Sequence, residues 1–268
     1  MNVLFFGDIV GKIGRKALAK TLPSLKEKFK PDLILANGEN LAHGKGLTLK
    51  TVKEIINLGV DYLTSGNHFF AKSEEIEKII KEKMPVLRPA NFPLSFKGEG
   101  DVILSKGKNK ILLINLLGEA FIKSEKIILS NPFLKVEEIL LNNFQKIKII
   151  IVDFHAEVTS EKKAMSYWLD SKVSLLVGTH THVQTSDEKI SPGGTAYITD
   201  LGMVGAEDSV IGVKKESSLD YLLGKTEKLK IDIPEKGLAI VQGVFVEIDE
   251  KSGKAKEIKR INEEILVD

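Results

Sequence analysis

The chain has 268 residues, 43% of them hydrophobic and 28% charged. That balance excludes a disordered segment or a fibrous repeat, and the length is enough for a self-sufficient core. It has no cysteine, which excludes disulfides, thiolate metal sites, iron–sulfur clusters and cysteine nucleophiles. A net charge of +2 is too even for a general nucleic-acid or membrane-surface binder.

The first residues, Met1 to Phe6, carry no basic stretch and run at once into Asp8, unlike a signal peptide. No apolar run approaches the roughly 20 residues of a membrane span. A cytoplasmic protein is expected.

Short β-branched runs alternate with longer amphipathic ones in the manner of an α/β fold. In chain order, strands are predicted at Asn2–Phe6, Leu33–Ala36, Tyr62–Thr64, Ile111–Asn115, Ile149–Asp153, Ser174–Val177 and Ala196–Thr199. The segments between them repeat apolar residues three and four apart, as in Leu18/Leu22/Leu25, Val52/Ile55/Ile56, Ile76/Ile79/Ile80 and Val136/Ile139/Leu140, which predicts helices. The first three units are βα repeats and favour parallel pairing. From Pro85 the chain turns to short strand-like pieces joined by Pro and Gly, and Gly118–Pro132 is poorly periodic, so a small cap or lid is expected within 85–132. The tail returns to β, with Leu238–Ile248 and Ala255–Ile261 flanking a turn at Asp249–Gly253. A mixed sheet, or two stacked sheets with helices outside, fits this order in one domain over 1–268.

The polar residues fall at the ends of those strands. Strand one runs into Gly7-Asp8, the second into Asn37-Gly38-Glu39-Asn40, and the third into Gly66-Asn67-His68. Ile149–Asp153 runs into His155-Ala156-Glu157, and Ser174–Val177 into Gly178-Thr179-His180-Thr181-His182. Ligands of α/β sheets bind beyond the carboxyl ends of the strands, so the five clusters are expected to converge. Of the five histidines, His68, His155, His180 and His182 follow strands directly, and His43 lies just beyond Glu39. Asp8, Glu39, Asn40, Asn67, His155, His180 and His182 are oxygen and nitrogen donors that suit Fe, Mn or Zn. With Glu39 bridging, they provide for two ions, the arrangement that clamps in-line displacement at phosphorus. Two dications against Asp8, Glu39 and a hydroxide leave a small positive charge, suited to a phosphodiester.

These clusters resemble the calcineurin-like metallophosphoesterase motifs GNH, H and GHxH, carried here by Gly66-Asn67-His68, His155 and Gly178-Thr179-His180-Thr181-His182. That superfamily usually opens with Asp-x-His, whereas Asp8 is followed by Ile9 and Val10, and Glu39 stands where a bridging aspartate is expected. Asp8, Gly38-Glu39-Asn40, His155-Ala156-Glu157 and Thr179 to Thr185 are similar to the bacterial YmdB-like subfamily, described as 2′,3′-cyclic-nucleotide phosphodiesterases with activity on other phosphodiesters. The resemblance implies a metallophosphoesterase-like sandwich of mixed β-sheets flanked by helices. It also implies two divalent or mixed-valence transition-metal ions, Fe first and Mn or Zn as alternatives. Asp8, Glu39, Asn40 and His182 would hold one ion, and Glu39, Asn67, His155 and His180 the other, with His68 as general acid to a metal-bridging hydroxide attacking in line. Adjacent extended residues point apart, so Asn67 facing metal would leave His68 to the substrate.

The substrate expected is a small cyclic nucleotide, 2′,3′-cyclic with 3′,5′-cyclic as an extension. No stable nucleic-acid partner and no membrane are expected, and a homo-oligomer is left open. The alternatives are a phosphomonoesterase or nuclease on the same metals, or a metal-stabilised RNA-related regulatory protein. Gly11-Lys12-Ile13 is not a phosphate-binding Walker loop, and its glycines read as a tight strand-to-helix turn; Lys12 and Arg15 are minor candidates for substrate contact. His43 is equally a substrate-loop residue or a solvated one. Thr159 or Ser160 is expected to cap a helix ending near Trp168, and Asp200 and Glu157 are candidates for hydrogen-bonding a ligating histidine.

Overall fold

The computed structural model describes residues 1–122, 128–143 and 147–268. Two six-stranded sheets lie face to face with helices on both outer surfaces, the second of the two arrangements that the strand order allows. The chain opens with β1 (Asn2–Ile9), α1 (Gly11–Phe29), β2 (Leu33–Asn37), α2 (Leu49–Asn57) and β3 (Tyr62–Thr64). A 3-10 turn at Phe69–Lys72 leads into α3 (Ser73–Lys81). The second sheet begins with β4 (Asp101–Lys106) and β5 (Asn109–Leu117), followed by α4 (Pro132–Asn143), β6 (Ile149–His155), α5 (Thr159–Trp168), β7 (Leu175–Thr179), β8 (Lys189–Ile190) and β9 (Ala196–Ile198). The chain then returns to the first sheet through β10 (Met203–Ala206), α6 (Lys215–Leu222), β11 (Gly237–Ile248) and β12 (Ala255–Val267).

The first sheet has the order β12-β11-β10-β1-β2-β3 and the second β4-β5-β6-β7-β9-β8. β1 runs parallel to β2 and β10 and antiparallel to β11, while β5, β6, β7 and β9 are parallel, so both sheets are mixed. The strands are apolar on both faces because both faces are covered. Alternate residues such as Val3 and Phe5 meet Leu113, Ile151 and Val177 between the sheets. Leu4 and Phe6 point outward onto Leu18, Leu22 and Val52 of α1 and α2. On the other side Ile150 and Val152 pack under Ile139 and Met165 of α4 and α5. Burial of this kind is worth about 25 cal/mol per Å² of apolar surface, and it fixes the register that aims the strand ends.

Within the described part of 85–132, Asp101–Lys106 and Asn109–Leu117 form one side of the second sheet, and Val86 bridges to Leu63 of the first. β4 and β5 pair as an antiparallel hairpin, and Phe70, Phe92 and Phe96 cluster with ring centroids 4.8 to 5.7 Å apart beside them. The lid expected at Gly118–Pro132 falls in part on 123–127, outside the described residues. Thr159 does open α5, but the helix start at Val158 has no side-chain cap, so neither Thr159 nor Ser160 plays that part. Among the described residues no helix is long and apolar enough to cross a membrane.

Candidate active site

The parallel strands of the two sheets end along one seam, and the polar residues gather there. Asp8 is the penultimate residue of β1, and Glu39 and Asn40 follow β2. Asn67 and His68 follow β3, His155 closes β6, and His180 follows β7. His155 is thus a strand residue; the polar partners buried around Asp153 let β6 run two residues past its predicted end.

Two groups of side chains form. In the first, Glu39 Oε1 lies 3.1 Å from His155 Nε2, which is 2.9 Å from His180 Nδ1 and 3.2 Å from Asn67 Oδ1. In the second, Asp8 Oδ1 is 3.4 Å from the amide nitrogen of Asn40 and 3.7 Å from His182 Nε2. Asn40 shows its nitrogen to Asp8 and His182 and its oxygen to His68; a half-turn of the amide exchanges the two. The groups touch, since His155 Nδ1 is 3.9 Å from Asp8 Oδ1 and the backbone N–H of His180 donates to Asp8 Oδ2 at 3.1 Å. All seven predicted donors therefore lie in one cluster.

His68 departs from the expected geometry. The 66–68 segment is a turn, with His68 at φ −91° and ψ 4°, so adjacent side chains do not diverge as they do in a strand. Its Nδ1 is 3.3 Å from Glu39 Oε1 and from Asn40 Oδ1, and its N–H donates to Glu39 Oε2. Its Nε2 has no hydrogen-bond partner among the described residues, and the ring lines the cleft.

Backbone shape brings the groups this close. A Cβ at Gly66 would lie 2.2 Å from His155 Cδ2 and 2.3 Å from Glu39 Oε2, so only glycine lets this turn pass beneath the cluster. His180 and His182 have φ of 102° and 63°, a region that non-glycine residues rarely adopt. Asp8 holds the first, and His182 Nδ1–H donates to Ile211 O at 2.8 Å, which leaves the Nε2 lone pair of the neutral ring to accept from the Asn40 side-chain amide at 3.1 Å. Asp200 holds the residue between them by accepting from the N–H of Thr181, and its charge is balanced by Lys162 Nζ at 2.6 Å, both side chains 1% exposed. Asp200 touches no histidine side chain, which corrects the expectation for it. Glu157 does, accepting from His180 Nε2 at 2.9 Å.

The electrostatics follow from burial. Asp8 and Glu39 are 0% and 1% exposed, and among the described residues no lysine or arginine pairs with either. Burial alone would raise their pKa values, yet His182 and His155 hold Asp8 below the ordinary value, and His155 and His68 hold Glu39 well below it. Burial opposes charge on His155, but Glu39, Asp8 and Asp153 raise it to about 9. Burial and the adjacent His155 charge push His180 down to about 3. Paired buried carboxylates facing convergent imidazoles match a cation site chemically, because unneutralised buried charge is costly. Ligand atoms of Glu39, His155 and His180 all fall within 4.8 Å of one another.

Sequence reasoning passed over the support beneath the cluster. Thr179 Oγ1 is 2.8 Å from His155 Nδ1 and donates to Asp153 Oδ1 at 2.7 Å, while Asn37 and Thr64 donate to Asp153 Oδ2. Burial raises Asp153 to about 6 against these hydrogen bonds and the pull of His155. The available signal was an acid ending a fully apolar run, Ile149 to Asp153. Lys12 and Arg15 turn elsewhere, Lys12 to Glu235 at 3.0 Å and Arg15 to Glu54 at 2.8 Å. His43 is exposed on its loop and is absent from the cleft lining.

Above the cluster lies a cleft of about 250 Å³. Glu39, Asn40, His68, His180 and His182 form its polar floor, and Ile211, Val213, Leu229, Ile231 and Ile233, from the connection between β10 and β11, form an apolar wall.

Comparison with known proteins gives the family and the fold. The model of the YmdB-like protein family matches residues 4–261. A 2′,3′-cyclic-nucleotide 2′-phosphodiesterase of Bacillus subtilis (strain 168) is 40% identical over 266 residues, covering 97% of this chain and 96% of that protein. The crystal structure of a novel phosphatase from Mycoplasma pneumoniae superposes with a TM-score of 0.91 at 37% identity, covering 100% of this chain and 94% of that one. The calcineurin-like phosphoesterase YfkN of Bacillus subtilis shares the fold alone, with a TM-score of 0.59 at 12% identity over 98% of this chain and 90% of that one. The chain is therefore a phosphoesterase with the calcineurin-like fold, a fold that implies divalent metal ions, and it belongs to the YmdB-like family.

Proposed function

We propose that the protein is a dinuclear metal-dependent phosphodiesterase that opens 2′,3′-cyclic nucleotides. One observation carries the reading: two buried carboxylates, Asp8 and Glu39, sit among convergent imidazole and amide donors, and among the described residues no lysine or arginine pairs with either. Asp8, Asn40 and His182 would hold one ion, and Asn67, His155 and His180 the other, with Glu39 reaching both. The donor set accepts Fe, Mn or Zn. Bound divalent ions would supply Lewis-acid polarisation of the phosphoryl group.

The remaining steps belong to the chain. The Thr179 hydroxyl receives the Nδ1–H of His155 and so fixes which ring nitrogen faces the cluster. Glu157 does the same for His180, and the Ile211 carbonyl for His182. Water adds to phosphorus and releases a proton to solvent, one ring P–O bond breaks, and His68 hands a proton from Nε2 to the departing ribose oxygen, to be reprotonated from solvent afterwards. The result is a nucleoside monophosphate. The name of the Bacillus subtilis relative supports this substrate class.

The test is turnover by protein reconstituted with iron or manganese, comparing 2′,3′-cyclic AMP, a 5′-nucleotide and a single-stranded oligonucleotide. The cyclic ester is expected to be hydrolysed at least about tenfold faster, the span of one missing or extra substrate contact. Preference for the 5′-nucleotide would make the protein a phosphomonoesterase, and preference for the oligonucleotide a nuclease.

A further inference from the structure

The turn between Val210 and Val213 carries an unusual residue. The two valines exchange backbone hydrogen bonds, at 2.8 Å and 3.0 Å, around the central pair Ile211-Gly212. Both central residues are left-handed, at φ 49° and 98°. Turns of this shape favour Asn or Gly, and a β-branched residue there is strained. Ile211 is nonetheless present, with its side chain 51% exposed in the cleft and its carbonyl on His182. Leu229 and Ile231 of the same wall are 41% and 49% exposed.

The wall is tied to the floor. Ile233 packs so closely on Gly11 and Gly44 that a Cβ at either position would lie 2.7 to 2.8 Å from its side-chain atoms. Lys214 N–H donates to the carbonyl of Asp232, and the two side chains pair at 3.0 Å, joining the Ile211 turn to the irregular segment that carries Ile231. A strained, half-exposed aliphatic surface held against a cluster of charged donors has a use if an apolar group is anchored there by a phosphate.

We infer that Ile211, Leu229 and Ile231 form a specificity wall that takes the nucleoside portion of the substrate while the cluster takes its phosphate. This rests on the phosphodiesterase reading and adds to it. The three side chains offer no hydrogen-bond donor or acceptor, so the wall reads apolar area and not the edge pattern of the base. The enzyme accepts purines and pyrimidines alike, with the larger purine held more tightly because it covers more of the wall.

The experiment compares unaltered, metal-reconstituted protein with the Ile211→Gly and Ile231→Ala variants and their combination. Glycine keeps the Ile211 carbonyl and suits the left-handed turn, and thermal melting of each variant checks that it folds. Affinities for adenosine 3′-monophosphate and for inorganic phosphate are measured by equilibrium titration. The double variant is expected to lose about tenfold in nucleotide affinity while phosphate affinity stays within about twofold, the scale of uncovering two aliphatic contacts. Equal loss of both affinities, or loss of neither, overturns the proposal. If the unaltered protein opens no cyclic ester but the nucleotide-to-phosphate affinity ratio still falls, the wall stands and the reaction assignment fails.

Discussion

The floor and the wall of the cleft are built on opposite principles. Glu39 and Asn40 in the floor, with Asp8 and His155 beneath it, are 0 to 3% exposed, and Glu39 meets His155 from the other sheet. Wall residues Ile211, Leu229 and Ile231 are 41 to 51% exposed and hang from one connection. The floor gains precision because every polar atom there must find a partner in a low-dielectric interior, and any misplacement leaves one unpaired. The wall presents apolar area, and it stays in place through the Ile211 carbonyl on His182 and through Ile233 packed on Gly11 and Gly44. Charged donors are confined to the floor, and contact with an organic group to the wall.

Three variants sharpen this contrast. The largest effect is expected for His68→Ala, which removes the proton donor at the floor while leaving the wall intact. Its kcat for cyclic AMP should fall by about 10²–10⁴-fold. A mutant that retained metal and full turnover would take His68 out of the reaction. Thr179→Val removes the hydroxyl between His155 and Asp153 without changing side-chain shape. Metal affinity, read by chelator competition, should weaken by about 10–100-fold, as for other partners that orient a ligand; an unchanged affinity would mean that the buried network does not aim His155. The smallest effect is expected outside both regions. Lys12→Ala breaks an exposed pair with Glu235 and should alter stability by less than about 1 kcal/mol in thermal melts and turnover by less than about twofold. A larger drop in turnover would return Lys12 to the substrate.

The same contrast separates what was legible in the sequence from what was not. Floor donors could be read because each ends an apolar strand, and parallel strands must bring their ends together. Ile149 to His155 illustrates both the strength and the limit of that reading. The apolar run located the strand, but Asp153 looked like its end, because a lone acid in an apolar run is normally outside. Only the three donors Asn37, Thr64 and Thr179, from other strands, make its burial tolerable. The wall had no such signature. Ile211, Leu229 and Ile231 belong to a loop with no helical or strand period, and nothing local distinguishes them from core residues or stray surface aliphatics. The expectation of a lid within 85–132 rests on poor periodicity over Gly118–Pro132 and falls in part on 123–127, outside the described residues. Asp200 was found by its place after β9, but its partner Lys162 lies on a helix that no strand-end rule points to.

The bond from the N–H of His180 to Asp8 joins residues 172 positions apart. The contact exists only when both sheets have docked, because Asp8 lies in the first and His180 follows a strand of the second. A cation bound by the whole cluster would therefore stabilise the finished protein over any half-folded form.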